Sequence, residues 1–143
     1  MLPVFELLGT DYSKTEVVSL YADAGKRFDT FTKIEWLYPD AVASVKVGNG
    51  VKSEGSLVVS GTSGYLYVPA PWWKTDYFEV RFEDVNQTKK YFYQLDGEGI
   101  RYEIVAFVRN VLNGCRNSSV PEEVSAAICA MMEKRADAEL SGT

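Results

Sequence analysis

The heptad Pro71-Trp72-Trp73-Lys74-Thr75-Asp76-Tyr77 concentrates the side chains of this sequence best suited to holding a small molecule. Flat indoles bury a large area at modest entropic cost and can stack on the C–H faces of sugars, and a lysine ammonium donates to a hydroxyl or a phosphate. Trp72, Trp73, Lys74 and Tyr77 are therefore candidate substrate contacts, at a pocket or at a seam with another domain. The structural alternative has one tryptophan plugging a sheet edge and the other lying under a helix. Two fully exposed indoles would form an apolar patch that soluble monomers rarely tolerate, so one ring is expected buried and the other accessible. Arg101, ahead of Tyr102-Glu103, is a further candidate contact. It falls in the first turn of an expected helix, where Glu103 meets the favourable end of the dipole, and an Arg–Glu pair there also serves a structural role.

The absences are as informative. The chain of 143 residues has no histidine, which excludes Ser-His-Asp and Cys-His catalysis and histidine zinc sites. It has no Gly-x-Gly-x-x-Gly and no phosphate-binding P-loop, and Asp96-Gly97-Glu98-Gly99 lacks the third glycine and reads as a connecting turn. Cys115 and Cys129 have neither metal-ligand nor redox spacing and are expected to be structural thiols of a reducing cytoplasm. No residue is therefore assigned as catalytic, cofactor-binding or metal-ligating. A formal charge of −5, without a basic stripe, opposes nucleic-acid binding. No apolar run approaches the roughly 20 residues needed to cross a bilayer, and the amino terminus does not read as a signal peptide, so a cytoplasmic location is expected.

The elements that must position these residues follow from periodicity. With 46% hydrophobic and 24% charged residues the composition is that of an ordinary globular chain, long enough for one domain spanning residues 1–143. Residues 1–9 read as the stub of a helix, with Val4, Leu7 and Leu8 at helical spacing and Gly9 as stop. So short a helix suggests that a segment ahead of it belongs to the protein. Residues 15–95 switch to a period of two. Phe28, Thr30, Thr32, Ile34, Trp36 and Tyr38 share the parity of a buried face, and Ala41, Ala43, Val45 and Val47 continue on one parity. Lys46 and Lys52 flank Gly48-Asn49-Gly50 as a solvated hairpin tip. Two short strands surround Ser60-Gly61-Thr62-Ser63-Gly64, whose glycines can supply positive φ. Phe78, Val80 and Phe82 alternate with Glu79, Arg81 and Glu83, and Asn86-Gln87-Thr88 turns the chain into a last strand.

Two helices follow. Ile104, Phe107, Val108, Val111 and Leu112 form one apolar stripe ended by Gly114. The second opens on a capping box from Ser119 to Glu122 and carries Val124, Ala127, Ile128, Met131 and Met132 as core filling. Short loops between successive strands require antiparallel pairing. The fold predicted is α+β: a mostly antiparallel open β-sheet of about six or seven strands, with helices packed on one face.

Gly55-Ser56-Leu57-Val58-Val59-Ser60-Gly61-Thr62-Ser63-Gly64-Tyr65-Leu66-Tyr67-Val68-Pro69 resembles the strand, Gly-Thr-x-Gly turn and next strand of the Gfo/Idh/MocA oxidoreductases, which act mainly on sugars, cyclitols and dihydrodiols. Pro71-Trp72-Trp73 is similar to the aromatic loop that often follows in that family. Gly99-Ile100-Arg101-Tyr102-Glu103-Ile104-Val105-Ala106-Phe107-Val108 resembles its Gly-x-x-Tyr-Glu-x-x-x-Phe helix start, and Pro121-Glu122-Glu123-Val124 the start of its last helix. The order and spacing over residues 40–140 carry the resemblance, since each motif alone is unspecific. It implies a carboxy-terminal substrate and oligomerisation domain, with NAD or NADP held by an amino-terminal Rossmann domain that has no counterpart in this sequence. The family's lysine and its tyrosine or histidine acid/base have no counterpart here either.

The expected partners are that Rossmann domain, a small polyhydroxylated substrate and a second copy of the chain. The last follows from strands that carry apolar side chains on both parities, Tyr65 and Tyr67 against Leu66 and Val68, and Tyr91 and Tyr93 against Phe92. A water-facing antiparallel sheet would be polar on that side. A stand-alone carbohydrate-binding module and a purely structural oligomerisation module remain as alternatives.

Overall fold

The computed structural model describes residues 1–23, 25, 28–97, 99–114 and 120–140, the last seven as main chain only. The fold is α+β, and the described residues form seven strands that all pair antiparallel and three α-helices. The strands are hydrogen-bonded as two sheets, β1-β2-β3 and β4-β5-β6-β7. Contacts gather into two compact units, one of residues 1–53 and 116–143, the other of residues 54–115. Among the described residues no helix is long and apolar enough to cross a membrane.

In the first unit α1 (Leu2–Leu8) precedes β1 (Lys14–Tyr21), β2 (Asp29–Leu37) and β3 (Val42–Gly48), and α3 (Glu122–Leu140) closes it. The inward parity of β2 is the one periodicity indicates: Thr32, Ile34, Trp36 and, just beyond the strand, Tyr38 are buried. Phe28, on the same parity, is exposed because it lies ahead of the strand. From α1 the buried residue is Phe5, whereas Leu7 and Leu8 face outward. Phe5 meets the Trp36 ring edge-on, with centroids 5.7 Å apart. Val124 and Met131 of α3 complete this core, and Ala127 and Ile128 pack beside them. Met132 and Cys129 are exposed, so the thiol is no core filler. The buried Thr32 hydroxyl donates to Asp29 Oδ2 and shares a 2.8 Å hydrogen bond with Ser19, which satisfies the only polar residue in this core among those described. The Ser119 half of the expected capping box lies outside the described residues. Glu122 and Glu123 do occupy the first turn of α3, the favourable place for acids.

The Gly48-Asn49-Gly50 stretch is not a hairpin tip. Among the described residues β3 pairs only with β2, and the amides of Asn49 and Gly50 both turn back to donate to Thr30 O at 2.9 Å, while Lys46 and Lys52 stay in solvent.

The second unit holds β4 (Leu57–Ser60), β5 (Gly64–Val68), β6 (Tyr77–Phe82), β7 (Lys89–Phe92) and α2 (Ile100–Leu112). Asp84 caps the short 3-10 turn before β7 by accepting from Asn86 N. The β4–β5 turn closes with Gly61 N donating to Gly64 O. Neither glycine there takes a positive φ. Gly64 is required by close approach instead, because a Cβ on it would fall 2.5 Å from Arg81 O on the neighbouring strand. α2 carries the expected stripe, yet Ile104, Phe107, Val108, Val111 and Leu112 are all exposed and none of its residues is buried.

Candidate functional site

Main-chain hydrogen bonds hold the tryptophan loop between β5 and β6. Trp72 N donates to Gly55 O at 2.7 Å, Lys74 N to Pro71 O at 2.9 Å, and Tyr93 N to Asp76 O at 2.7 Å. The Ala70–Pro71 peptide is cis. The two indoles meet at 87°, with centroids 5.9 Å apart. The expectation of one buried and one accessible ring is not met: Trp72 is 37% exposed and Trp73 56%. What lies under Trp73 is Gly55, whose missing Cβ would sit 3.4 Å from indole Cζ3. The benzo end of Trp73 therefore lies close to the main chain at Gly55, and more than half of the residue remains open to solvent.

Tyr77 opens β6 and is placed differently from the tryptophans. Its ring lies under Lys90 Nζ, 3.5 Å from the centroid, and against Phe92, its register partner on β7. Lys90 caps the ring face that a ligand would need. Arg101 at the start of α2 forms an ion pair with Asp96, while Tyr102 Oη accepts from Asp96 N at 3.1 Å. It clasps its own helix start. The sequence candidates therefore fall into one continuous segment, Trp72, Trp73, Lys74 and Tyr77, and one residue, Arg101, occupied elsewhere in the unit.

Sequence reasoning missed a second cluster, on one face of the β4–β7 sheet. Registers Tyr65↔Arg81, Tyr67↔Glu79, Glu79↔Lys90 and Tyr77↔Phe92 put these side chains on a single surface. Arg81 lies over Tyr67, 4.4 Å from the ring centroid, and Nη1 donates to Tyr65 Oη. Its Nε donates to Glu79 Oε2 at 2.7 Å, and Lys90 approaches the same carboxylate at 3.8 Å. The Tyr65 hydroxyl and then Glu79 hold the guanidinium charged well above its ordinary range. Two cations share one carboxylate, so the patch keeps a net positive charge with aromatic rings beneath it. The i, i+2 spacing of Tyr65/Tyr67 and Glu79/Arg81 was the available signal, but only the register shows that the pairs meet.

This chemistry can stack, donate hydrogen bonds and fix orientation. Among the described residues no group of three or more Cys, Asp or Glu could hold a metal ion. Two open hollows, about 340 Å³ along α2 and about 540 Å³ beside Ser63, Glu83, Asp84 and Gln87, contain none of the sequence candidates.

No protein-family model matches the chain, and none of the curated proteins is similar enough in sequence to count as a relative. Solved structures do share the fold. An assigned oxidoreductase from Klebsiella pneumoniae matches with a TM-score of 0.67 at 16% identity, over 98% of this chain and 45% of its own. A 3-ketoreductase from Actinomadura kijaniata matches with 0.62 at 16% identity, over 87% and 39%. An assigned oxidoreductase from Yersinia pestis matches with 0.60 at 15% identity, over 93% and 43%. The chain spans less than half the length of each.

Proposed function

We propose that this chain is the substrate-side and oligomerisation domain of an NAD(P)-dependent oxidoreductase of the Gfo/Idh/MocA kind, acting in the cytoplasm on a sugar, cyclitol or related polyol. The observation that carries the reading is one of extent: almost the whole chain superposes on under half of a protein assigned as an oxidoreductase. The remaining half of such a protein is where a Rossmann domain would bind the cofactor. The Actinomadura kijaniata ketoreductase is described in complex with NADP, which supports a nicotinamide cofactor for the whole enzyme.

The start of α2 does not suit that cofactor. A pyrophosphate needs free amides at a helix start and a positive local field. At α2 that place holds Glu103 in the first turn, with Asp96 clasped by Arg101 beside it. Hydride chemistry would come from the cofactor, and this chain would supply one wall of the substrate pocket. Within it Trp73 presents the open stacking face, Trp72 braces that ring, Lys74 donates to hydroxyls, and Tyr77 with Lys90 anchors the loop's exit. Arg101 stabilises the start of α2 and reaches substrate only by giving up Asp96. The β4–β7 face with Tyr65 and Tyr67 is the surface for a second copy.

Two titrations test this. NADH added to the chain alone gives no saturable change in nicotinamide or tryptophan fluorescence. The protein joined to its Rossmann domain oxidises or reduces the cofactor with a member of a sugar and cyclitol panel. Micromolar binding of NADH by the chain alone refutes the division of labour. The open indole of Trp73 also favours a second reading, a stand-alone carbohydrate-binding module, which cofactor-dependent turnover by the longer protein would exclude.

A further inference from the structure

We propose that Gly55 is a positioning residue for Trp73, which is the stacking ring of this loop; the inference rests on the substrate-side reading above. Three observations meet at this glycine. Its carbonyl accepts from Trp72 N at 2.7 Å, so the residue before Trp73 is tied to it through the main chain. A Cβ at position 55 would lie 3.4 Å from Cζ3 and 3.5 Å from Cη2 of the Trp73 indole, and 3.7 Å from Pro71 Cα. Trp73 nevertheless remains 56% exposed, so the approach to Gly55 leaves much of the indole open to solvent.

The glycine thus works as a floor. It lets Cζ3 and Cη2 of the indole approach the chain closely, so that the ring is already held when a ligand arrives and less rotamer entropy remains to be lost on binding. Trp72 packs nearly perpendicular to Trp73, with centroids 5.9 Å apart, and gives the ring a second neighbour. An alanine at 55 makes ordinary van der Waals contact and is tolerated. A β-branched side chain puts further carbons where the ring now lies and lifts it. The surface so presented suits one flat C–H face of a pyranose or cyclitol ring.

The test uses the full chain with 5-fluorotryptophan at its three tryptophans, Trp36, Trp72 and Trp73, the last two assigned through Trp72→Phe and Trp73→Phe. In Gly55→Val the Trp73 fluorine signal shifts and broadens more with a paramagnetic solvent additive, the Trp36 signal keeps its position as the fold control, and Gly55→Ala resembles the parent. Methyl β-glucopyranoside shifts the Trp73 signal of the parent, and Gly55→Val weakens that binding by roughly 3- to 10-fold, the loss expected when one stacking contact goes. Should Gly55→Val lose the Trp36 signal, Gly55→Ser, with its shorter reach, is read in its place. An unmoved Trp73 signal in the folded variant overturns the positioning role. A parent Trp73 that the glycoside and a cyclitol both leave unshifted overturns the stacking role, and with it the substrate-side assignment of this loop, even where the ring placement holds.

Discussion

Replacing Trp36 with phenylalanine should leave the stability of this protein within about 1.5 kcal/mol of the parent, whereas alanine at the same place should cost about 3–5 kcal/mol. Trp36 is 0% exposed, and its indole Nε1 has no hydrogen-bond partner. Phenylalanine removes two ring carbons and Nε1, and the two carbons at about 0.8 kcal/mol each forfeit about 1.6 kcal/mol of burial. It also removes a stranded donor whose desolvation costs roughly 1–3 kcal/mol, so the two changes nearly cancel. The Phe5 ring meets Trp36 edge-on at 75° and is the neighbour that a smaller ring would leave underpacked. Alanine keeps the gain but empties a site bounded by Phe5, Val124 and Met131. Urea unfolding followed by far-UV circular dichroism, with unchanged m-values, measures both differences. A loss above about 3 kcal/mol for Trp36→Phe would refute the reasoning, because it would mean that the indole N–H is satisfied and contributes stability.

Three further outcomes are expected. Trp73→Ala should cost under about 1 kcal/mol and Trp72→Ala somewhat more, both short of a core truncation, and equal losses of several kcal/mol in urea melts would make the loop part of the core. Burial, and secondarily the neighbouring Tyr12, raises the Tyr38 hydroxyl above its ordinary value of 10.0, while that hydroxyl donates to Gly9 O at 2.8 Å. A raised folded-state value gives stability that is complete below pH 10 and lost as pH climbs through it, so Tyr38→Phe should flatten the alkaline limb of the stability curve; identical limbs would contradict this. Self-association through exposed sheet residues such as Tyr65 and Phe92 should raise the mass seen by light scattering above 16.0 kDa with concentration, and a mass fixed at that value on every dilution refutes it.

Both sheets leave apolar residues in water. Val18, Leu20, Leu37 and Val42 are exposed in the first unit, and Val58, Tyr65 and Phe92 in the second. In the second unit Arg81 and Lys90 lie across the rings of Tyr67 and Tyr77, which shields part of that apolar surface with charge. A partner docking there would have to fit around both cations.

Local order was legible in the residues. Period-two alternation located the strands and the inward parity of Thr32, Ile34 and Trp36, because successive side chains of a strand must point to opposite faces. Helical spacing located α2 and α3; of the apolar residues it named on α3, Val124 and Met131 are buried, Ala127 and Ile128 half-buried and Met132 exposed, while the stripe it named on α2 is exposed. The absence of histidine and of a glycine fingerprint limited the chemistry before any fold was known. Tertiary structure alone decided which strands are neighbours, since alternation specifies a face and never a partner. That is why seven strands divide into two sheets, why Arg81, Glu79 and Lys90 meet, and why Gly48-Asn49-Gly50 turns back to Thr30 rather than closing a hairpin. It also decided the fate of each aromatic. Trp36 and the paired Trp72 and Trp73 are the same residue type, and burial of one and exposure of the others depend on what lies beneath: Phe5 and Met131 under the first, a bare glycine under the last.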